Sequence, residues 1–251
     1  MKQANKKIGI VTGVSTEPGS MSSERKTSLL AGILYLFTFV SIPTLALYGP
    51  IHEPNYVLGT STDTFVIIGN ILEIIVALTG IGTAVVLYPV LKSKNEWIAL
   101  GLISSRILEA ATIFIGVMFL LTVVTLKQTA AGADSLVNSN TLVIMYDRMF
   151  LIGQSFMPAI NDLLLGYLLY HSRLVPRGLS LIALVGGPVL IAGDILVLFG
   201  FIGQHDPSTG LFAIGVALFE FVLGIYLIIN GFKSTVIVDE DSDEIIQFGR
   251  N

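Results

Sequence analysis

The chain has 251 residues, of which 53% are hydrophobic and only 13% charged, about half the charged fraction of an ordinary soluble domain, and its mean hydropathy is +0.80. A net charge of −4 with no clustered basic run leaves no electrostatic footprint for nucleic acid, so no nucleic-acid partner is expected. The absence of cysteine excludes disulfides, thiolate metal ligands and cysteine nucleophiles.

Residues 1–27 read as a mobile cytoplasmic arm. The opening "MKQANKKIGIVTGV" pairs basic with apolar residues, but its apolar part is interrupted from Thr16 to Ser20 and is too short for the core of an export signal. Met21, followed by "SSERKTSLL", would also serve as an initiator. Six apolar runs then exceed the roughly 18 residues that mark a membrane crossing. They are placed at Leu29–Leu47, Thr64–Leu91, Trp97–Leu126, Leu142–Tyr170, Gly178–Gly203 and Leu211–Phe232. The fold class is therefore all-α, an integral membrane bundle of six helices over residues 28–233. The acidic run "VDEDSDE" forbids a seventh crossing, so residues 234–251 form a solvated cytoplasmic tail.

Lysine and arginine counts orient the bundle. One set of loops and ends carries Lys2, Lys6, Lys7, Arg25, Lys26, Lys92, Lys94, Arg173, Arg177, Lys233 and Arg250, and the other carries only Lys127. The positive-inside rule places both termini in the cytoplasm. The protein's first partner is the lipid bilayer.

Within these apolar runs stand Glu73, Arg106, Glu109, Asp147, Arg148, Asp162, Asp194 and Glu220. One such charge facing mid-bilayer lipid costs about 2.5–3.5 kcal/mol on insertion scales, so these side chains must face protein, water or each other. Helical spacing agrees. Asn70, Glu73, Ala77, Gly80 and Ala84 form one stripe of the second span, and Ala213, Ala217, Glu220 and Gly224 repeat it in the sixth. Arg106 and Glu109 lie three apart and can pair within their own helix. Asp147, Gln154, Pro158 and Asp162 share a face of the fourth span, where Pro158 is expected to kink the helix and free a carbonyl.

Counting along the spans puts Glu73, Asp194 and Glu220 at one depth, about nine residues or ~14 Å in, and Arg106, Glu109, Asn161 and Asp162 in a deeper layer. Asp147 and Arg148 read as an interfacial pair near the outer boundary. Six acids against two arginines leave an excess of four negative charges that a low-dielectric interior resists, so several carboxyls are expected to hold a proton. The candidate ligand- or ion-binding residues are Glu73, Arg106, Glu109, Asp162, Asp194 and Glu220, with Asn70, Asp147, Arg148, Gln154 and Asn161 as secondary candidates. No catalytic residue, metal site or cofactor is assigned. The three histidines, His52, His171 and His205, fall in loops, which leaves no histidine metal site inside the membrane, and no G-x-S-x-G, H-E-x-x-H or P-loop occurs.

Three stretches carry a resemblance. "RILEAATIF", residues 106–114, resembles the third-helix signature of the bacterial six-helix membrane family catalogued as domain of unknown function number 4386. "LLLGYLLYHSRLVPRGLSLIALVGG", residues 163–187, is similar to that family's fourth helix, short basic loop and fifth helix, and "VVLYPVLK" fits its second-helix exit. The similarity runs from about Leu29 to Phe232, with Arg106 and Glu109 matching the family's pair and Pro176 and Arg177 its loop. It implies a six-helix integral membrane protein and brings no activity. The expected function is handling of a small solute or cation, proton-coupled, through a polar intramembrane cavity. The alternative is a non-transporting sensor, regulator or assembly partner whose buried charges are structural, and the third reading is an intramembrane enzyme.

The orientation is checked by single cysteines introduced at Ser61, Ser93, Ser139, Ser172 and Ser208. An impermeant thiol reagent added to whole cells should label the positions at Ser61, Ser139 and Ser208 and leave Ser93 and Ser172 unlabelled.

Overall fold

The computed structural model describes residues 21–129, 132 and 134–233. The first helix, α1 (Ser23–Thr38), starts where the Ser22 hydroxyl accepts from Arg25 N at 3.2 Å, satisfying one of the free amides of its first turn. It does not run unbroken to Leu47. A 3₁₀ turn at Phe39–Ser41 and Pro43 interrupt it before the one-turn α2 (Thr44–Leu47), because proline supplies no amide to the helical ladder. The hydroxyls of Thr38 and Thr44 donate to the carbonyls of Tyr35 at 2.7 Å and Ser41 at 2.6 Å around the break.

The second span, α3 (Thr64–Leu91), has the bounds its hydropathy predicts. Asn95 caps α4 (Glu96–Gln128) by accepting from Ile98 N at 3.2 Å. The fourth span is composite: α5 (Asp134–Phe150), a wide π-helical turn at Leu151–Phe156, and α6 (Met157–Ser172). Pro158 explains the wide turn, since its missing amide leaves the ladder one donor short just after Leu151–Phe156. Next come α7 (Arg177–Leu198) and α8 (Pro207–Ile229). Six helical segments are long and apolar enough to cross a membrane, and large apolar side chains such as Leu78, Leu108, Met118, Val185 and Leu218 face outward. That surface suits lipid, not water.

Several boundaries differ from the sequence reading. The fifth helix stops at Leu198, not Gly203, because Gly200 turns the chain at φ +73°, a conformation glycine adopts without steric cost. The fourth begins in the polar stretch before Leu142, since Ser135 and Ser139 turn inward and are buried. Ser139 is thus no loop residue, and the exposed Val137 is the place for a label at this end. The arm expected over residues 1–27 is shorter, because Ser23 to Thr27 are helical. Arg25 donates to the carbonyls of Leu227, at 2.9 Å, and Ile228, which satisfies the exposed end of α8 with a cation where the helix dipole favours one. Residues 1–20 and the tail from 234 lie outside the described residues.

The spans pack as a ring in chain order, α1 on α3, α3 on α4, α4 on α5 and α6, α6 on α7 and α7 on α8, and α1 closes it against α8. Glycines set the two tightest seams. A Cβ on Gly32 would come within 2.6 Å of the Gly224 carbonyl oxygen, and one on Gly186 within 2.8 Å of the Gly215 backbone. Inside the ring, one apolar cluster with Leu91, Leu102, Leu169 and Leu227 fills the end that holds α1's start. Another, with Tyr48, Ile51, Leu120, Val123 and Tyr146, fills the far end. The buried polar residues lie between the two.

Replacing Gly186 by valine should force α7 and α8 apart against backbone that cannot yield, lowering stability in detergent by about 1–3 kcal/mol. Alanine at Gly178, where nothing lies within 4 Å of the added Cβ, should leave thermal unfolding within about 0.5 kcal/mol of wild type.

Candidate functional site

Arg106 sits at the centre of the polar layer and is 2% exposed. Its Nη1 donates to Glu109 Oε2 at 2.9 Å, one helical turn along α4, and its Nη2 to Glu220 Oε1 on α8 at 2.6 Å. The guanidinium carbon lies 5.8 Å from the ring centre of Tyr35 on α1, within reach of a cation–π attraction. Asn161 of α6 adds a hydrogen bond to Glu109 Oε2 at 2.6 Å. One arginine therefore ties three helices together, and two carboxylates engage both its terminal nitrogens while its buried Nε has no partner. Asp162, the next residue of α6, is fully buried and neither of its oxygens has a hydrogen-bond donor.

The π turn builds the second group. Gln154 Nε2 donates to Glu73 Oε1 at 3.0 Å, and the adjacent Ser155 hydroxyl donates to Asp194 Oδ1 at 2.6 Å. A single wide turn thus serves carboxylates on two different helices, α3 and α7. Tyr146 completes the Glu73 shell at 2.6 Å, and Tyr48 donates to Asn70 Oδ1 at 3.1 Å. Glu73 Oε2 and Asp194 Oδ2 are buried without partners.

Both backbone irregularities open on one cavity of ≈190 Å³. Its walls include Thr38 and Ser41 from the break after α1, Gln154 and Ser155 from the π turn, and Arg106 with Glu220. Such a volume falls below the roughly 300–1,000 Å³ of sites for drug-sized ligands, so it suits an ion or a very small solute. Oxygens of Thr38, Ser41, Gln154, Ser155, Glu109 and Glu220 stand among apolar side chains in the lining, and with the guanidinium already paired to carboxylates they favour a cation over an anion.

At the far end, Asp147 does not pair with Arg148. Its carboxylate meets His52 Nε2 at 3.0 Å and His205 Nε2 at 3.4 Å, while Arg148 reaches Gln204 Oε1 at 3.5 Å. The hydrogen bond to Asp147 raises the His52 imidazole above its ordinary range, against the opposing effect of burial. Nearby, Lys127 Nζ lies 3.0 Å from Asp63 Oδ1. Burial works against the Asp63 carboxylate, but Lys127, Tyr56 and Gln128 together hold it below the usual carboxylate range.

The sequence's depth grouping of Glu73, Asp194 and Glu220 does not survive as one cluster, because the helices are rotated so that Glu220 faces Arg106 while the other two face the π turn. Arg106, Glu109, Asn161 and Glu220 come together, and so do Glu73 and Gln154. Ser155, Tyr35, Tyr48 and Tyr146 belong to the site without having been singled out. Ser155 had a signal, its place beside Gln154 just before Pro158.

Removing Arg106 leaves two carboxylates uncompensated. Arg106→Leu should lower stability in detergent by about 3–5 kcal/mol. Adding Glu109→Leu should recover only part of this, and the triple variant with Glu220→Leu most of it, as read by thermal unfolding. An Arg106→Leu protein as stable as wild type would mean that the three do not act as an ionic unit.

Comparison with curated proteins gives no match, and neither does comparison with solved structures. The profile of one family, described as a domain of unknown function (DUF4386), matches residues 30–231, from the first span to the end of the sixth. That stretch contains the whole ring and every residue of the polar layer, and the chain belongs to the DUF4386 family.

Proposed function

We propose that this protein binds a small cation, or a small solute carrying positive charge, in the cavity of the polar layer and exchanges it against protons held by the surrounding carboxyls. The carrying observation is an imbalance. Between the two apolar clusters lie five carboxyls, Glu73, Glu109, Asp162, Asp194 and Glu220, and one guanidinium, which already pairs with two of them. Four oxygens on Glu73, Asp162 and Asp194 have no donor. A buried carboxylate oxygen without a partner carries a large desolvation cost, which a bound proton or a bound cation relieves. The same residues can therefore hold either, and the choice between them couples occupancy to pH.

The architecture fits such exchange. Apolar clusters fill both ends of the ring, and the cavity between them has the exposed Ile42 and Ala217 in its wall. The interrupted first span supplies a wall segment, Thr38 to Pro43, whose ladder is already broken and which can shift at lower cost than a continuous helix. Transport would need the two ends to open alternately. In this reading the bundle sits in the bacterial cytoplasmic membrane with both termini inside.

The test uses amide substitutions, which preserve shape and hydrogen bonding but cannot change proton occupancy. Wild-type protein in detergent, melted against a panel of monovalent and divalent cations at mildly acidic and at neutral pH, should show a cation- and pH-dependent rise in Tm. Glu73→Gln, Asp162→Asn and Asp194→Asn should fold and lose that dependence. Glu220→Gln is different in kind, because it weakens the Arg106 network and should lower the baseline Tm itself. If wild type responds to no cation and to no pH change, and the triple amide variant is as stable as its parent, the layer is a scaffold and the sensor or assembly reading takes its place.

A further inference from the structure

We propose that His52, Asp147 and His205 form a binding site for a first-row transition-metal dication, zinc above all, at the end of the bundle away from α1's start. The three residues come from the loop after α2, from α5 and from the loop after α7, and His52 and Asp147 are separated by 95 positions. Their ligand atoms nevertheless lie within 4.8 Å of one another. The two imidazole–carboxylate contacts, 3.0 Å from His52 to Oδ1 and 3.4 Å from His205 to Oδ2, are close to the ~3.3 Å ligand–ligand separation set by metal–ligand bonds of about 2.0–2.1 Å, with one carboxylate oxygen turned to each imidazole. The third edge, between the imidazoles, has to close. His205, the most exposed of the three, has the freedom to do so.

The groups behind the ligands are those a metal site requires. His52 Nδ1 lies 2.8 Å from the Tyr48 carbonyl oxygen. Donation from Nδ1 to that carbonyl fixes the ring and leaves Nε2 as the nitrogen that faces the cluster, the outer hydrogen bond that ligating histidines make almost without exception. With Nδ1 so committed, Nε2 and Asp147 Oδ1 cannot face each other as two bare lone pairs, and the place between them is held either by a proton or by a metal cation. The loop of His205 is held as well. Gln204 Nε2 donates to the Asp147 carbonyl at 2.6 Å, and the Gly203 amide donates to Asp206 Oδ2 at 2.7 Å. Arg148, the one cationic side chain adjacent in sequence, is turned to Gln204. Two imidazoles and one carboxylate suit zinc and its first-row neighbours, not magnesium or calcium, and the exposed side of His205 leaves coordination positions open to solvent.

This site is independent of the cation-exchange reading of the polar layer, although it adjoins it. Tyr48 and Tyr146, which stand next to its ligands, are the residues whose hydroxyls hold Asn70 and Glu73. A bound metal would tie two loops to α5 over that end of the ring.

The test is a titration of tag-free, full-length protein in detergent, stripped with a chelator, with Zn²⁺ by calorimetry and with Co²⁺ by visible absorption. One equivalent per chain should bind, and cobalt should give the intense d–d bands of a four- or five-coordinate site. His52→Gln, Asp147→Asn and His205→Ala should each weaken binding by about a hundredfold or more. His171→Ala, at the opposite end, and Glu73→Gln should keep full affinity, so the two sites fail separately. His205 is exposed, so its alanine variant folds whatever the others do. The proposal is overturned if no stoichiometric binding is seen, or if His205→Ala and His52→Gln bind like wild type, in which case the cluster is an ion pair between histidine and aspartate alone.

Discussion

The constraint on which this structure depends is the cost of charge in a medium without water. Arg106 cannot be left facing lipid, and the chain answers with two carboxylates, Glu109 one turn along its own helix and Glu220 from α8. Because Glu220 reaches across from α8, the pair is also a fastener between the third and sixth spans, which are not neighbours in chain order. The seam of Gly32 and Gly224 closes the same ring at backbone contact. Side-chain charge and missing side chains therefore do complementary work. One draws distant helices together, and the other lets adjacent helices approach.

Once that layer exists, its remaining carboxyls set the chemistry. Arg106 satisfies Glu109 and Glu220, while Glu73 and Asp194 rely on neutral donors from the π turn and Asp162 has none. Neutral donors relieve part of the desolvation cost of a carboxylate but cannot cancel its charge. Both interruptions of helical geometry, after α1 and within the fourth span, border the same cavity, which is where non-helical backbone is tolerated at membrane depth. The far end has a different character. There the polar groups are imidazoles and a carboxylate in contact with solvent, a softer donor set fit for another class of ion.

The sequence by itself determined the spans, their number and the identity of nearly every polar side chain in the layer, because lipid punishes an exposed charge or an unpaired backbone group wherever it occurs, and that penalty is written in local composition. It also determined the Arg106–Glu109 pair, since a separation of three residues on a helix fixes proximity without reference to the rest of the fold. Tertiary structure decided the rotation of each helix about its axis. Depth can be counted along a chain, but the partner of Glu220 depends on which way α8 faces, and matched depth alone grouped it with Glu73 and Asp194. Folding likewise decided that Pro158 would widen a turn and aim Gln154 and Ser155 at two different helices. The meeting of His52, Asp147 and His205 was beyond any local pattern, for it arises only when two loops and a helix far apart in sequence are brought to one end of a closed ring.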